Sequence, residues 1–579
     1  MPGFRSVLLS IARAWKNDSE SITAPSGEFF RQLETSLAAE NSATELPDME
    51  AAAEACFSAL QQAFDPVWGG FGTAPKFPRP ALFTFLFSHA VHAGRKQAAD
   101  MALDTLACME AGGMHDHLSV PGSGGGGFAR YSTDERWHVP HFEKMLYDNA
   151  QLACSYLDAY LVSGNPVHAD TARDIFTYVL HDLRSPEGGF FSAEDADSFP
   201  DAGSTQKAEG AFYVWSWDEL FSLPAAAEDL RLFARVYGVK PEGNVLHDPH
   251  GEFRGKNVLM RTVLPEQAAL EEGTDPGTAP GAVARIRELL YEKRLSRPRP
   301  LLDDKVITSW NGLMIAALAR GFRVLGLPEY LAAARKAAAF VLERLCTENG
   351  TRLLRRYRDG EGAIKGKAED YAFFIRGLLD LYQACFENNW LEAALRLMES
   401  QNRLFHDHDG GSYFSTASDD ASVPLRLKES HDGAEPSATS ATVLNLLDLE
   451  TMTGKGTFGT MAAGCMRAFG TVLGENGHLL PLMLSAAARS QKGGTLALLQ
   501  GEPGSPALQE MLQELNARFL PGMTLMHESA GLLPEIRTTD TIAGNDVFRP
   551  SVRLCTEKRC VLPACSATEL RERLLEISR

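Results

Sequence analysis

Apolar residues recur at three- and four-residue spacing in a series of segments separated by turns that contain glycine or proline. This spacing places the apolar side chains on one face of an α-helix. The pattern predicts five helix pairs with a single helix at each end of the series, at 48–64, 80–93 with 95–111, 141–163 with 167–184, 309–325 with 328–346, 369–387 with 390–405, 437–453 with 457–474, and 480–490.

Glycine-containing loops are spaced regularly along these pairs. The last glycine of each loop lies at Gly70, Gly127, Gly189, Gly350, Gly411 and Gly477. Four of the five intervals are close to 60 residues, and the third is one such interval plus about 100 residues. A fixed period of this length indicates a repeat architecture. We therefore predict a mainly α fold, an (α/α)6 toroid of six helical hairpins in which the two terminal helices pair and close the ring.

The long interval and the end of the chain depart from this repeat. Within the toroid, at 48–490, the extra residues form an insertion at 199–300 that we interpret as a cap over one end of the ring. Residues 491–579 predict a small α/β region. Its expected elements are strands at 495–500 and 523–526, a helix at 505–519, a hairpin at 552–562 and a final helix at 567–577.

Composition excludes several classes of protein. The net charge of −19 argues against general nucleic-acid binding, which requires a cationic surface. No apolar run approaches the roughly 18–20 residues that cross a bilayer. The nine cysteines are scattered, as is typical of a reducing compartment, so a cytoplasmic protein is expected. Cys555, Cys560 and Cys565 lack a fourth ligand for structural zinc and are interpreted as incidental thiols of a hairpin, so we expect no metal and no cofactor.

Charged and polar clusters open the first helix of successive hairpins. If the first helices form the inner ring, these clusters meet at one mouth of its central cavity. The densest cluster is 131–149, in which Pro140 suits the first turn of a helix. His141 and Glu143 would then lie at the positive end of that helix, which favours a neutral imidazole able to act as a general base.

The clusters supply the candidate site residues, although helix capping and core packing are the alternative for each of them. An acidic turn at 192–197 could bind a cation or provide an acid and a base, and a solvated turn explains it equally well. The candidate catalytic residues are His141, His431, Glu143, Asp195, Glu369, Asp370 and Glu435. The candidate substrate-binding residues, chosen because aromatic rings beside polar groups suit sugars, are Arg136, Trp137, Tyr147, Asn149, Trp310, Asn311, Tyr371 and Asp432.

Several stretches together resemble a known family, the thioredoxin-domain-containing proteins of the YyaL and spermatogenesis-associated type. The matching segments are 72–78, 126–150, 188–198, 209–215, 248–253, 308–314 and 432–437. The resemblance implies a six-hairpin-glycosidase-like toroid similar to N-acylglucosamine and cellobiose 2-epimerases. Such proteins begin with a thioredoxin-like domain carrying a Cys-x-x-Cys pair, which this chain does not contain. Residues 1–20 resemble a remnant of that domain, followed by a linker at 21–47.

The leading functional hypothesis is a carbohydrate-active enzyme with a small, sugar-like ligand. A 2-epimerase would use His141 and His431 as base and acid on opposite faces of the sugar. A glycosidase would use two carboxylates, about 5–5.5 Å apart for retention or about 6.5–9.5 Å apart for inversion. The alternatives are a non-catalytic binding module, a partner of a thioredoxin-type redox protein, and a redox scaffold that uses Cys555 and Cys560. The sequence leaves open whether the chain is an enzyme.

Overall fold

The computed structural model describes residues 3–40, 45–246, 248, 251–530, 550–556 and 560–577. None of the helices in these ranges is long and apolar enough to cross a membrane. The segment 21–47, expected as a linker, contains most of a 22-residue helix. The expected helix at 457–474 is divided into two helices at Phe469, whose backbone is not helical.

The elements follow the predicted order. The helices are α1 Phe4–Asn17, α2 Ser19–Glu40, α3 Met49–Ala63, α4 Pro80–His92, α5 Lys96–Ala111, α6 Leu146–Ser163, α7 Pro166–Asp182, α8 Trp217–Phe221, α9 Ala227–Val236, α10 Pro265–Glu272, α11 Ala279–Arg294, α12 Thr308–Leu325, α13 Pro328–Arg344, α14 Ala368–Cys385, α15 Asn388–Phe405, α16 Ala438–Thr453, α17 Gly456–Ala468, α18 Gly470–Asn476, α19 Pro481–Lys492, α20 Pro506–Asn516 and α21 Ala567–Ile577. The strands are β1 Ser119–Val120, β2 Gly124–Gly125, β3 Tyr131–Ser132, β4 Pro140–His141, β5 Lys144–Met145, β6 Ala193–Glu194, β7 Asp197–Ser198, β8 Ala208–Glu209, β9 Leu302–Asp303, β10 Val306–Ile307, β11 Cys346–Thr347, β12 Arg352–Arg358, β13 Glu361–Lys365, β14 Thr495–Gln500, β15 Met523–His527 and β16 Ser551–Cys555.

The contacts between helices form a closed ring. Going round it, α4 contacts α6, α6 contacts α12, α12 contacts α14, α14 contacts α16, α16 contacts α19, and α19 returns to α4. Each inner helix also packs against an outer helix, in the order α5, α7, α13, α15, α17 and α3. The (α/α)6 toroid and the assignment of the first helices to the inner ring are confirmed.

The two ends of the chain close this ring. The helix α19 packs against α3 and α4, and the hydroxyl of Ser485 donates to that of Ser88 at 2.9 Å, across 397 positions of sequence. On the other side of the ring the backbones of α12 and α14 approach closely. A Cβ on Gly312 would lie 2.4 Å from the carbonyl carbon of Phe373, so only glycine fits there.

The glycine loops form small turns at one rim. In five of the six, a residue near the end of an outer helix pairs with a residue just after the glycines, and these pairs are Phe64 with Phe71, His115 with Phe128, Arg184 with Phe190, Cys346 with Leu353 and His406 with Tyr413. Each loop precedes the next inner helix in the chain, with the insertion lying between the loop at Gly189 and α12. The N-terminal ends of the inner helices therefore share one mouth of the ring, as predicted.

The insertion has its own apolar core, built from α8 to α11 around Trp215, Phe233 and Ile286. A buried charge cluster joins it to the rim. The two carboxylate oxygens of Asp116 accept hydrogen bonds from Nη1 of Arg294, at 2.7 and 2.8 Å, and one of them accepts a bond from Lys144 at 2.8 Å. We call these three residues the Asp116 cluster.

The C-terminal region is the predicted α/β unit. Its sheet has the order β15-β14-β16, with β14 parallel to β15 and antiparallel to β16. Its strand β15 bonds to inner helix α14, where the Leu525 amide donates to Gln383 at 3.0 Å. Cys555 and Cys560, expected as incidental thiols, are joined by a disulfide, with their Cα atoms 4.0 Å apart.

Candidate functional site

Polar side chains from around the inner ring converge on the mouth formed by the N-terminal ends of its helices. A segment before α16 spans this mouth. The Ala434 carbonyl accepts a hydrogen bond from Gln151 of α6 at 2.9 Å, and Glu435 accepts one from Trp310 of α12 at 2.6 Å. The helices α6 and α16 lie opposite each other in the ring, so the segment narrows the mouth to the space around these groups.

The predicted start of α6, at residue 141, was wrong. Pro140 and His141 form a short strand paired with Tyr131, and the helix begins only at Leu146. His141 is therefore not at a helix terminus. Its Nδ1 lies 2.7 Å from Glu209, whose carboxylate raises the pKa of His141, which is the opposite of the neutral imidazole that we expected.

On one side of the mouth, an ion pair lies next to two aromatic rings. Arg130 donates to Glu143 at 3.1 Å and lies beside Tyr147 at the start of α6. The rings of Tyr147 and Trp310 are in contact, with centroids 4.9 Å apart. Burial raises the pKa of Tyr147 above its ordinary range, so the phenol is neutral and able to donate a hydrogen bond.

Glu435, on the segment before α16, carries a carboxyl group with a strongly raised pKa. Its Oε1 accepts the indole N–H of Trp310, and its side chain is partly exposed. Burial raises the pKa of Glu435 to about 7, opposed by the bond from Trp310 and reinforced by the negative charge of Glu369. Such a carboxyl group can both give and take a proton near neutral pH.

Two further carboxylates lie at the start of α14. Arg355, on β12, donates to Glu369 at 2.6 Å and to Asp370 at 3.2 Å. Asp370 also accepts the backbone N–H groups of Lys367 and Ser309, so its oxygens cap α14 and hold the start of α12. Glu369 has only the Arg355 bond among the described residues and is the freer of the two.

Asp148 is a buried carboxyl group with an unused oxygen. Its side chain is 3 % exposed, and Oδ2 has no hydrogen-bond partner among the described residues. Burial raises the pKa of Asp148 well above its ordinary value, with Arg130 opposing and Glu435 adding to the effect. A carboxylic acid kept neutral in this way can donate a hydrogen bond to a ligand.

Asn149 and Asn311 have structural roles instead of the predicted substrate contacts. Asn149 accepts the backbone N–H of Phe128 at 2.8 Å and donates to its carbonyl at 3.0 Å. Asn311 makes the same two bonds to Phe190, at 2.8 and 3.0 Å. Each amide thus clamps the preceding glycine loop to its inner helix, and this repeated task explains why both are fully buried.

Three other residues that we predicted to bind substrate form hydrogen bonds with the backbone of the protein itself. Trp137 is fully buried and donates to the backbone carbonyl of Trp68 at 2.8 Å. Tyr371 is fully buried, and its hydroxyl accepts the N–H of Leu353. Asp432 accepts the backbone N–H groups of Ser437 and Leu482, both at 2.9 Å, and so holds the starts of α16 and α19.

The remaining candidates lie away from this group. The guanidinium of Arg136 stacks over Trp68, with 4.8 Å between its carbon and the ring centroid. Asp195 forms an ion pair with Lys207 of the insertion at 2.9 Å. His431 is exposed on the segment before α16, next to Asp432. No contact joins it to His141 among the described residues, and two groups that flank a sugar would not touch each other, so the two-histidine hypothesis for an epimerase stays a prediction.

The structure therefore brings together Glu143, Tyr147, Trp310, Glu369 and Glu435 of the predicted set. It adds Arg130, Asp148 and Arg355. Asp148 lies inside the densest polar cluster, at 131–149, and Arg130 directly precedes that cluster, so their sequence positions could have found them. Arg355 lies on a hairpin whose alternating pattern was not recognised as a strand. Among the described residues, no group of three or more histidine, cysteine or acidic side chains is arranged to hold a metal ion.

Glu435 makes the stability of the fold depend on pH. Because its folded pKa of about 7 exceeds the ordinary value of 4.5, its contribution is fully present below pH 4.5 and is lost as the pH rises through 7. We expect the melting temperature of the wild type to fall more steeply between pH 5 and 8 than that of Glu435→Gln, which cannot ionise. Differential scanning fluorimetry of both proteins measures this, and parallel curves would contradict it.

Sequence comparison identifies relatives of the chain over nearly its whole length. No protein-family model matches. Spermatogenesis-associated protein 20 of Homo sapiens is 36% identical over 604 residues, covering 99% of this chain and 75% of the relative. The uncharacterized protein B0495.5 of Caenorhabditis elegans is 33% identical over 596 residues, with 99% of this chain and 79% of the relative covered.

Solved structures give weaker likenesses. The GH76 α-mannanase BT2949 of Bacteroides thetaiotaomicron has a TM-score of 0.44 at 11% identity, covering 77% of this chain and 95% of that one. The cellobiose 2-epimerase of Spirochaeta thermophila has a TM-score of 0.30 at 15% identity, covering 77% of this chain and 98% of that one. The sequence relatives are far closer, and their similarity extends over nearly the whole chain. The chain belongs to the spermatogenesis-associated protein 20 family.

Proposed function

We propose that the chain is a glycosidase-type enzyme that acts on a small carbohydrate at the mouth of the ring. The observation that carries this proposal is the carboxyl group of Glu435, whose pKa of about 7 suits a general acid near neutral pH. In this role Glu435 donates its proton to the oxygen of the leaving group as the glycosidic bond breaks.

A second carboxylate is required to complete the reaction. Glu369 is paired with Arg355 at 2.6 Å and has no other hydrogen-bond partner among the described residues. It either attacks the sugar carbon or activates a water molecule. Glu435 is bonded to the neutral Trp310 and Glu369 to the cationic Arg355, so the two carboxyl groups have different environments, which is the arrangement that divides acid and base roles.

The surroundings of the two carboxyl groups suit a sugar. The Tyr147 and Trp310 rings form an aromatic surface for the apolar face of a pyranose. The neutral Asp148 and the Arg130 guanidinium offer hydrogen-bond donors to its hydroxyl groups. These groups lie on α6, α12 and the loop before α6, next to the segment that carries Glu435.

The hydrolase is preferred to the 2-epimerase because of the partners of the candidate residues. His141, the candidate base of an epimerase, is engaged by Glu209 at 2.7 Å. His431, its candidate partner, is exposed on the segment before α16. Glu435, by contrast, accepts the Trp310 bond at the narrowed mouth, and the negative charge of Glu369 helps to raise its pKa.

Proton NMR of the full chain with a panel of α- and β-linked disaccharides and N-acylhexosamines in D2O tests the proposal. New reducing-end anomeric signals would support a hydrolase. Deuterium entering at C2 without cleavage would overturn it in favour of an epimerase. If no new signals appear but the resonances of a sugar broaden when the protein is added, the proposal would be overturned in favour of a non-catalytic binding module.

A further inference from the structure

A second cavity lies at the opposite end of the ring from the acidic mouth. It has a volume of about 260 Å³, large compared with the roughly 30 Å³ that one water occupies in the liquid. The C-terminal halves of α6, α12, α14, α16 and α19 surround it. The turn between α20 and β15 closes one side, so the ring and the C-terminal unit build this cavity together.

Cations outnumber carboxylates around the inner wall of this cavity. The four arginines are Arg320, Arg323, Arg376 and Arg489, and the three carboxylates are Asp158, Asp380 and Asp448. A fifth arginine, Arg518 on the turn, is paired with Glu514 at 2.5 Å. The inner wall therefore carries one positive charge more than its carboxylates neutralise.

Ion pairs use three of the four wall arginines. Arg320 pairs with Asp158, and Arg376 pairs with Asp380 at 2.9 Å. The third carboxylate, that of Asp448, is shared between two cations, which are Arg376 and Arg489. All three carboxylates are thus already engaged by the other arginines.

Arg323 is the cation that remains. Its Nε donates to the Asn516 side chain at 3.1 Å, and no carboxylate lies within 4 Å of its guanidinium among the described residues. Burial lowers the pKa of Arg323 to about 10, which reflects the free energy cost of holding this charge away from water. In the same wall, the buried Nε of Arg489 has no hydrogen-bond partner among the described residues.

Apolar side chains make up much of the remaining wall, among them Val324, Leu444, Phe519 and Leu525. A planar guanidinium matches the two oxygens of a carboxylate, and one excess charge calls for a monoanion. We propose that this cavity binds a small organic carboxylate, with its carboxylate on Arg323 and its short apolar part against Phe519 and Leu525.

Isothermal titration calorimetry of the full chain tests the proposal with butyrate and benzoate as probes, at an ionic strength held constant with sodium chloride. Butyramide has the shape of butyrate without the charge, and inorganic phosphate has charge without the apolar part. We expect saturable binding of the carboxylates and none of butyramide or phosphate. Equal binding of butyramide, binding of phosphate alone, or no saturable heat with either carboxylate would each overturn the proposal.

Arg323→Gln removes the charge while keeping a donor for Asn516, and we expect it to weaken carboxylate binding by about tenfold or more. Arg285→Gln is the matched control, because Arg285 is exposed on the insertion and pairs with Asp229. If Arg323→Gln does not fold, Arg323→Lys keeps the charge without the planar fork and is also expected to bind more weakly. Affinity equal to that of the wild type in a folded Arg323 variant would overturn the proposal.

Discussion

Replacing Asp116 by asparagine is expected to reduce the free energy of unfolding by about 3–5 kcal/mol. Asp116 is the only anion of the Asp116 cluster, whose cations, Lys144 and Arg294, are each 2 % exposed. Burial opposes the ionisation of Asp116, but the two cations hold its pKa well below the ordinary value. Removing the carboxylate would leave two buried cations without their shared partner, which costs far more than losing one surface ion pair.

Urea denaturation followed by tryptophan fluorescence measures this loss. Asp229→Asn is a suitable control, since Asp229 pairs at 3.1 Å with Arg285, whose side chain is 63% exposed. An exposed pair of this kind contributes about 0–1 kcal/mol. A stability of Asp116→Asn within about 1 kcal/mol of that of the control would show that the cluster does not hold the insertion to the rim.

Glu435→Gln is expected to lower kcat by about 10²–10⁴ with the substrate that the NMR panel identifies. Glutamine retains the size of the side chain and an oxygen for the Trp310 bond but cannot supply a proton. For the wild type, kcat/KM should fall as the pH rises through about 7, because the acid form of Glu435 is then lost. The variant should lack this limb of the profile.

Glu399→Gln is the matched control for that experiment, because Glu399 is exposed on the outer helix α15. It should retain the activity and the pH profile of the wild type. A Glu435→Gln protein with unchanged kcat would remove Glu435 from the mechanism. A rise of kcat/KM through pH 7 in the wild type would instead assign Glu435 as the base.

The ring was predictable because its causes are local. Apolar residues at helical spacing and regularly placed glycines are visible in the sequence, and five of the six inner helices begin within one residue of the predicted start. The exception is α6. Pro140 is compatible with a first helical turn and with a strand, and pairing of β4 with β3 and of β5 with β6 decides in favour of the strand.

The site was harder to predict because its decisive contacts join residues that are distant in sequence. Polar residues at the helix starts predicted which mouth of the ring these side chains share. The pattern could not separate residues free to contact a ligand from those that clamp a glycine loop, such as Asn149. The partner that raises the pKa of His141 is Glu209, in the insertion. The hydrogen bond from Trp310 to Glu435 spans 125 positions, and nothing in either local segment announces it.

Closure of the ring by its terminal helices has a consequence for synthesis. The ribosome delivers α4 early, whereas α19, its neighbour in the ring, emerges only about 400 residues later. At roughly 5–20 residues per second the nascent chain waits tens of seconds before the sixth inner helix is present. During that interval the side of α4 that packs against α19 lacks its partner, which makes this surface a natural substrate for a chaperone that binds nascent polypeptides.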